Sequence, residues 1–119
     1  MWALVTDDDF DRKWKKWPKK YSREMNAMLD HLRIVHEALE CGAAVEQLQF
    51  GFIHREPSGV LALDEKGGGS GLKATRLYVF PDKDTKTLHV ITVGDKNTQG
   101  ADIKYCKGYV AGLRSDRTE

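Results

Sequence analysis

The hydrophobic pattern of this chain keeps a helical period up to Gly42, changes to short strand-like runs, and returns to the helical period at Ala101. That order restricts the fold more than any other feature. A helical segment, a block of strands and a closing helix predict an α+β arrangement with helices packed on one sheet. Trp2 to Val5 is a short apolar run of strand character, followed by Thr6-Asp7-Asp8-Asp9. Thr6 and Asp9 stand at capping-box spacing and the acids suit a helix N-terminus, so a first helix is expected from about Asp7. Phe10, Trp14 and Trp17 recur as one aromatic stripe, and Pro18, which has no amide to donate, breaks the helix and suits the first turn of the next. Tyr21, Met25, Met28, Leu29, Leu32, Val35, Ala38 and Leu39 then hold the period as far as a glycine stop at Gly42. The expected result is an N-terminal strand and a two-helix hairpin covering a small, mainly antiparallel sheet.

Beyond Gly42, Phe50 to His54 and Val60 to Leu63 read as short strands around the turn Glu56-Pro57-Ser58-Gly59. Lys66-Gly67-Gly68-Gly69-Ser70-Gly71 is glycine-rich, but it lacks the closing Gly-Lys-Ser/Thr and the following helix that a phosphate-cradling loop requires. It reads as a mobile hairpin loop that brings Lys66 and Lys73 towards a substrate. Leu72 to Phe80 and Leu88 to Val93 are the strongest strands, joined by a polar hairpin segment. Alternation places Arg76, Tyr78 and Phe80 on one face and Leu77 and Val79 on the other. Arg76 therefore rises from a sheet face, where it is either functional or paired with Asp64, Glu65 or Asp102. Ile103, Cys106, Tyr109, Val110 and Leu113 form the stripe of a short C-terminal helix, and 115–119, without an apolar anchor, is expected to fray.

A chain of 119 residues that is 40% hydrophobic builds one core, so residues 1–119 read as a single domain. The apolar runs are short and an acidic cluster follows the first of them, which predicts neither a membrane span nor a signal peptide, and a cytoplasmic protein. Cys41 and Cys106 are too few for a disulfide framework and lack zinc-site spacing; both read as reduced, half-buried packing residues. His31 and His36, five apart on a helix, do not share a face at ligand spacing, so no metal or cofactor is expected. A net charge of +1 leaves no global basic field, and any nucleic-acid contact must come from local clusters such as Arg12, Lys13, Lys15, Lys16, Lys19, Lys20 and Arg23. Such a run also reads as the solvated face of a helix.

The segment Arg76-Leu77-Tyr78-Val79-Phe80, then Leu88-His89-Val90-Ile91-Thr92-Val93, then Gly94-Asp95-Lys96-Asn97-Thr98-Gln99-Gly100-Ala101-Asp102-Ile103 resembles the C-terminal half of RelE/ParE-type toxins of bacterial toxin–antitoxin pairs. Its most specific part is the Gly-Asp-Lys-x-x-Gln-x-x-Asp-Ile turn leading into a helix. The resemblance covers roughly Gly71 to Val110 in detail, and the helix pair with Trp17-Pro18-Lys19-Lys20 at its joint agrees with the family's fold.

The resemblance implies a toxin that cuts mRNA at the ribosome without a metal, by activating a ribose 2′-hydroxyl against the adjacent phosphate. That reaction needs a base, an acid and cations for the phosphate. Arg76 matches the family's strand arginine and is assigned phosphate clamping, which suits its planar fork. Lys96 is assigned the second cation. The strand lysines that serve one branch of the family correspond roughly to Val60 and Ala62 here. His54, His89 and Tyr105 are the replacement candidates for proton transfer, with Lys66 and Lys73 as substrate-binding groups. Asp95, Asp102 and Gln99 read as turn-holding and capping residues.

The resemblance also implies a cognate antitoxin that covers the basic sheet face or displaces the last helix. Two alternatives stand beside the ribonuclease: a non-catalytic gyrase inhibitor, suggested by the missing strand lysines, and a degenerate antitoxin-binding or regulatory protein, suggested by the near-neutral charge.

Overall fold

A computed structural model describes residues 1–65 and 71–118 of the chain, with side chains as far as Asp116. The glycine-rich hairpin expected at 66–70, and Lys66 with it, lie outside the described residues. The elements run β1 (Ala3–Thr6), α1 (Asp8–Lys16), α2 (Pro18–Glu40), β2 (Ile53–Arg55), β3 (Leu61–Glu65), β4 (Thr75–Asp82), β5 (Thr87–Asp95) and α3 (Gln99–Thr118). Single 3-10 turns occupy Val45–Gln47 and Pro57–Gly59.

The strands form one five-stranded sheet in the order β1-β5-β4-β3-β2. All neighbours are antiparallel except β1, which lies parallel to β5. This is the expected α+β architecture: an N-terminal strand, two helices, a mainly antiparallel sheet and a C-terminal helix.

Alternation along β3 and β4 divides the core into two layers. Leu61, Leu63, Leu77 and Val79 pack with Met28, Leu32, Val35 and Leu39 of α2 and with Trp2 and Phe10. Val60, Ala62, Tyr78 and Phe80 pack on the opposite side with Cys106 and Val110 of α3. A bulge shifts the register of β5, where Tyr78 faces Thr92 and Val79 faces Val90, leaving Ile91 as the extra residue. Because of it, Leu88, Val90 and then Val93 all reach the α1–α2 layer while Ile91 joins the α3 layer. Each fully buried leucine of these layers contributes about 1.5–3 kcal/mol relative to an exposed one.

Several local expectations are corrected. The cap of α1 is Asp7, whose carboxylate accepts the Asp9 amide at 3.2 Å. Thr6 cannot cap because it is the last residue of β1, paired with Val90. Pro18 opens α2, but the helix kinks at Tyr21 (φ −131°, ψ 32°), where the ring lies 4.3 Å from that of Trp17 and the hydroxyl is drawn to Asp95. Gly42 ends α2 at φ +97°, with the Gly42 amide on the Leu39 carbonyl and the Ala43 amide on that of Ala38, the double closure that a left-handed glycine permits.

The last helix is long, running 20 residues to Thr118, beyond Leu113, the last residue of the expected apolar stripe. Its far end is held by Arg114, which donates to the Ser58 carbonyl at 3.3 Å and lies over the Phe80 ring. The two cysteines are not alike: Cys41 is exposed and Cys106 is buried.

Candidate functional site

The strands β3, β4 and β5 stop together at one end of the sheet, and their register sets two rows of residues there. Asp64, Arg76 and Gly94 form one row; Glu65, Thr75 and Asp95 form the next. An open cleft of about 390 Å³ lies at this end, lined by His54, Asp64, Glu65, Arg76, Lys96 and Gln99 with Ala74 and Thr75. His54 pairs with Ala62 across the β2–β3 ladder. It therefore shares the α3 side of the sheet with Ala62 and Arg76.

Arg76 is held from two directions. Its Nε lies 3.1 Å from Asp64 Oδ1 and its Nη1 lies 3.5 Å from Glu56 Oε1, with all three side chains largely withdrawn from water. The pairing foreseen with Asp64 is present. Asp102, another suggested partner, is engaged elsewhere, at 3.1 Å from Lys13 Nζ.

Lys96 comes from the turn after β5 and Gln99 is the first residue of α3. Asp95 builds that turn: one carboxylate oxygen accepts the Asn97 amide at 2.9 Å and the other accepts the Tyr21 hydroxyl at 2.7 Å. The Tyr21 hydrogen bond holds the Asp95 carboxyl below its ordinary range. Thr98 accepts the Asp95 amide through its hydroxyl and donates to the buried carboxylate of Asp102 at 2.7 Å. Asp102 lies within α3 and braces the turn from below, in a network where Lys13 also reaches Thr92 at 2.9 Å and Asp9 at 3.3 Å. Gly94 is required at this point, because a Cβ there would overlap the Asp102 carboxylate and the Thr98 hydroxyl.

Of the residues singled out from sequence, His54, Arg76 and Lys96 share the cleft. His89 does not: it is buried in the α3 layer, with Nδ1 2.9 Å from the Tyr109 hydroxyl, and burial pushes its pKa down. Tyr105 lies outside the cleft lining and bonds the Asp7 carboxylate just beyond β1, the edge strand furthest from β2, and that hydrogen bond, with burial, raises its phenol. Lys73 lies beside the cleft but turns away from it, its Nζ 5.2 Å from the centre of the Tyr21 ring. The carboxylates Asp64 and Glu65 and the hydroxyl of Thr75 were not foreseen as cleft residues. The β3–β4 register that opposes Asp64 to Arg76 is the signal that finds them.

The charge of the cleft is mixed. Arg76 and Lys96 face Asp64 and Glu65, with Glu56 behind the guanidinium. Among the described residues, no group of three or more His, Cys, Asp or Glu side chains is arranged to hold a metal ion. No described helix is long and apolar enough to cross a membrane.

Fold and cleft together define a small α+β domain with an arginine-centred, mixed-charge cleft at the open end of its sheet. No family model matches the chain, and no curated protein matches it in sequence. The solved structures similar to this chain include three toxin structures. One is a free arginine double mutant of the E. coli toxin RelE, with 14% identity, 87% of this chain and 90% of that chain covered, and a TM-score of 0.49. The intact E. coli RelBE toxin–antitoxin complex gives 16% identity, 80% and 96% coverage and a TM-score of 0.47. A metal-bound toxin from Helicobacter pylori gives 22% identity, 82% and 97% coverage and a TM-score of 0.43.

Proposed function

We propose that this chain is the toxin of a toxin–antitoxin pair and that its cleft cleaves mRNA in the cytoplasm without a metal. The observation that carries this reading is the convergence of His54, Arg76 and Lys96, from three separate parts of the chain, on one cleft. It joins the sequence resemblance of residues 76–103 to RelE/ParE-type toxins.

A phosphodiester entering the cleft takes the Glu56 side of the guanidinium first, since that contact is the longer of the two. Arg76 then holds two phosphate oxygens through its planar fork while Asp64 keeps the guanidinium oriented. Lys96 neutralises the charge that gathers on phosphorus. The ribose 2′-oxygen attacks the phosphorus and loses its proton, a 2′,3′-cyclic phosphate forms, and the 5′-oxygen leaves with a proton. His54 is the imidazole that lines the cleft, and histidine is the side chain most often used as a general acid or base, which suits it to this transfer. A cognate antitoxin covers the cleft side of the sheet or displaces α3.

The test is expression in cells lacking the antitoxin, with growth followed and new mRNA 5′ ends mapped. Growth arrest with new ends, and neither in Arg76→Ala, is the expected result. A second reading is favoured by one observation, the carboxylates already paired to Arg76: a gyrase-type binder that blocks its target without cutting RNA. Growth arrest with DNA damage and no new RNA ends selects it. No effect on growth selects a protein that only binds an antitoxin.

A further inference from the structure

We propose, resting on the reading of the cleft as an RNA site, that the surface around Tyr21 is a second backbone-binding locus. There Lys20, Arg23, Lys73 and Lys96 hold phosphates of the single-stranded RNA that flank the one in the cleft. The cleft by itself offers a polyanion little attraction, because Arg76 and Lys96 are opposed there by Asp64, Glu65 and Glu56. An RNA strand carries a charge at every nucleotide, and most of its affinity comes from lysine and arginine beside the backbone.

Those cations are gathered around one ring. Tyr21 is 6% exposed, and the ammonium groups of Lys20 and Lys73 each lie 5.2 Å from its centre. The cation–π contacts hold two flexible side chains in place before any ligand arrives. Arg23 is next to them, its Nη2 3.6 Å from the position a Cβ would take on Gly71. Lys96 follows Asp95, the residue that accepts the Tyr21 hydroxyl.

The carboxylates in this region are already engaged. Glu24 is buried and accepts the Lys73 amide at 2.6 Å; Asp95 takes the Tyr21 hydroxyl and the Asn97 amide. Four exposed cations therefore stand against these two carboxylates, an excess of positive charge that the cleft lacks. The locus is continuous with the cleft, since Lys73 precedes the cleft-lining Ala74 and Thr75 and Lys96 belongs to both. The contacts proposed are to phosphate charge, so the recognition is of backbone and not of sequence.

The measurement is fluorescence anisotropy of the full chain with a short labelled 2′-O-methyl RNA, which keeps the phosphates but has no nucleophile, at several salt concentrations. Each phosphate held on a single strand contributes about −0.7 to the slope of log affinity against log salt, so the four cations predict a slope of roughly −2 to −3. The pair Lys20→Gln with Lys73→Gln is expected to bind about tenfold more weakly at low salt and to make the slope shallower by about 1.4. Lys20→Arg with Lys73→Arg keeps both values, and far-UV circular dichroism checks that each variant is folded. A slope shallower than about −1 in the unaltered chain, or unchanged binding in the folded glutamine pair, overturns the proposal. Salt-dependent binding lost in the glutamine pair, with no cutting of unmodified RNA, supports the Tyr21 locus and removes only the cleavage reading.

Discussion

The guanidinium Nε of Arg76 lies 3.1 Å from Asp64 Oδ1, directly across the β3–β4 ladder, in the cleft that Lys96 and His54 also line. Arg76 therefore has a structural duty as well as a proposed chemical one, and the two separate under mutation. Arg76→Ala is expected to abolish RNA cleavage and to lower stability by about 1–3 kcal/mol, because Asp64 and Glu56 lose the cation they share. Arg76→Lys restores part of the stability but not the activity, since an ammonium cannot form the planar fork. Urea unfolding measures the first effect and single-turnover cleavage the second.

His54→Gln separates proton transfer from binding. The side chain stands on the short strand β2 and is exposed, so its loss is expected to leave the melting temperature unchanged. The cleavage rate of bound RNA is expected to fall by about 10²–10⁴, the usual range for a lost general acid or base. An unchanged single-turnover rate would sink the role assigned to His54.

Gly94→Ala tests the brace beneath the Lys96 turn. The added methyl group meets the Asp102 carboxylate and the Thr98 hydroxyl, neither of which can retreat without leaving Lys13 or Asp95. A loss of about 3 kcal/mol is expected, at the upper end of overpacking costs, with the urea midpoint falling accordingly.

Two pH windows of stability follow from buried groups. Burial pushes the His89 pKa below its ordinary 6.5, so at pH values just below 6.5 the unfolded chain binds a proton that the folded chain refuses. Stability is therefore expected to fall as pH drops from 7 towards 5, and His89→Gln is expected to flatten that part of the curve. Asp95 is displaced in the same direction at lower pH: the Tyr21 hydrogen bond lowers its pKa from 3.8, so its contribution is full above that value and is lost as pH falls below it. Thermal melts across pH 3–8 resolve the two.

The thiols should report the two environments of the cysteines. Burial in the α3 layer pushes Cys106 up to about 12, whereas Cys41 is exposed at the end of α2. One thiol per chain is expected to react rapidly with a disulfide reagent in the native protein, and the second only in denaturant. Two fast thiols would contradict the placement of Cys106 on the buried face of α3.

The sequence by itself determined the elements and their facing. The aromatic stripe Phe10–Trp14–Trp17, the break at Pro18, the stop at Gly42 and the alternation through β4 are local rules, carried by neighbours a few residues apart. The placement of Arg76 on the sheet face and the turn that displays Lys96 were legible for the same reason.

What joined His54 to Arg76 and Lys96, paired Arg76 with Asp64 and Glu56, and sent His89, Tyr105 and Lys73 elsewhere was strand order and register. Those depend on contacts between residues far apart in the chain, which no periodicity records. The length of α3 was decided in the same way, by Arg114 docking on the Ser58 turn beyond the last apolar residue of the stripe. Tertiary structure alone also revealed that the cleft carries nearly balanced charge. A net charge of +1 counts all the ionised groups equally, and only folding shows which of them stand against one another.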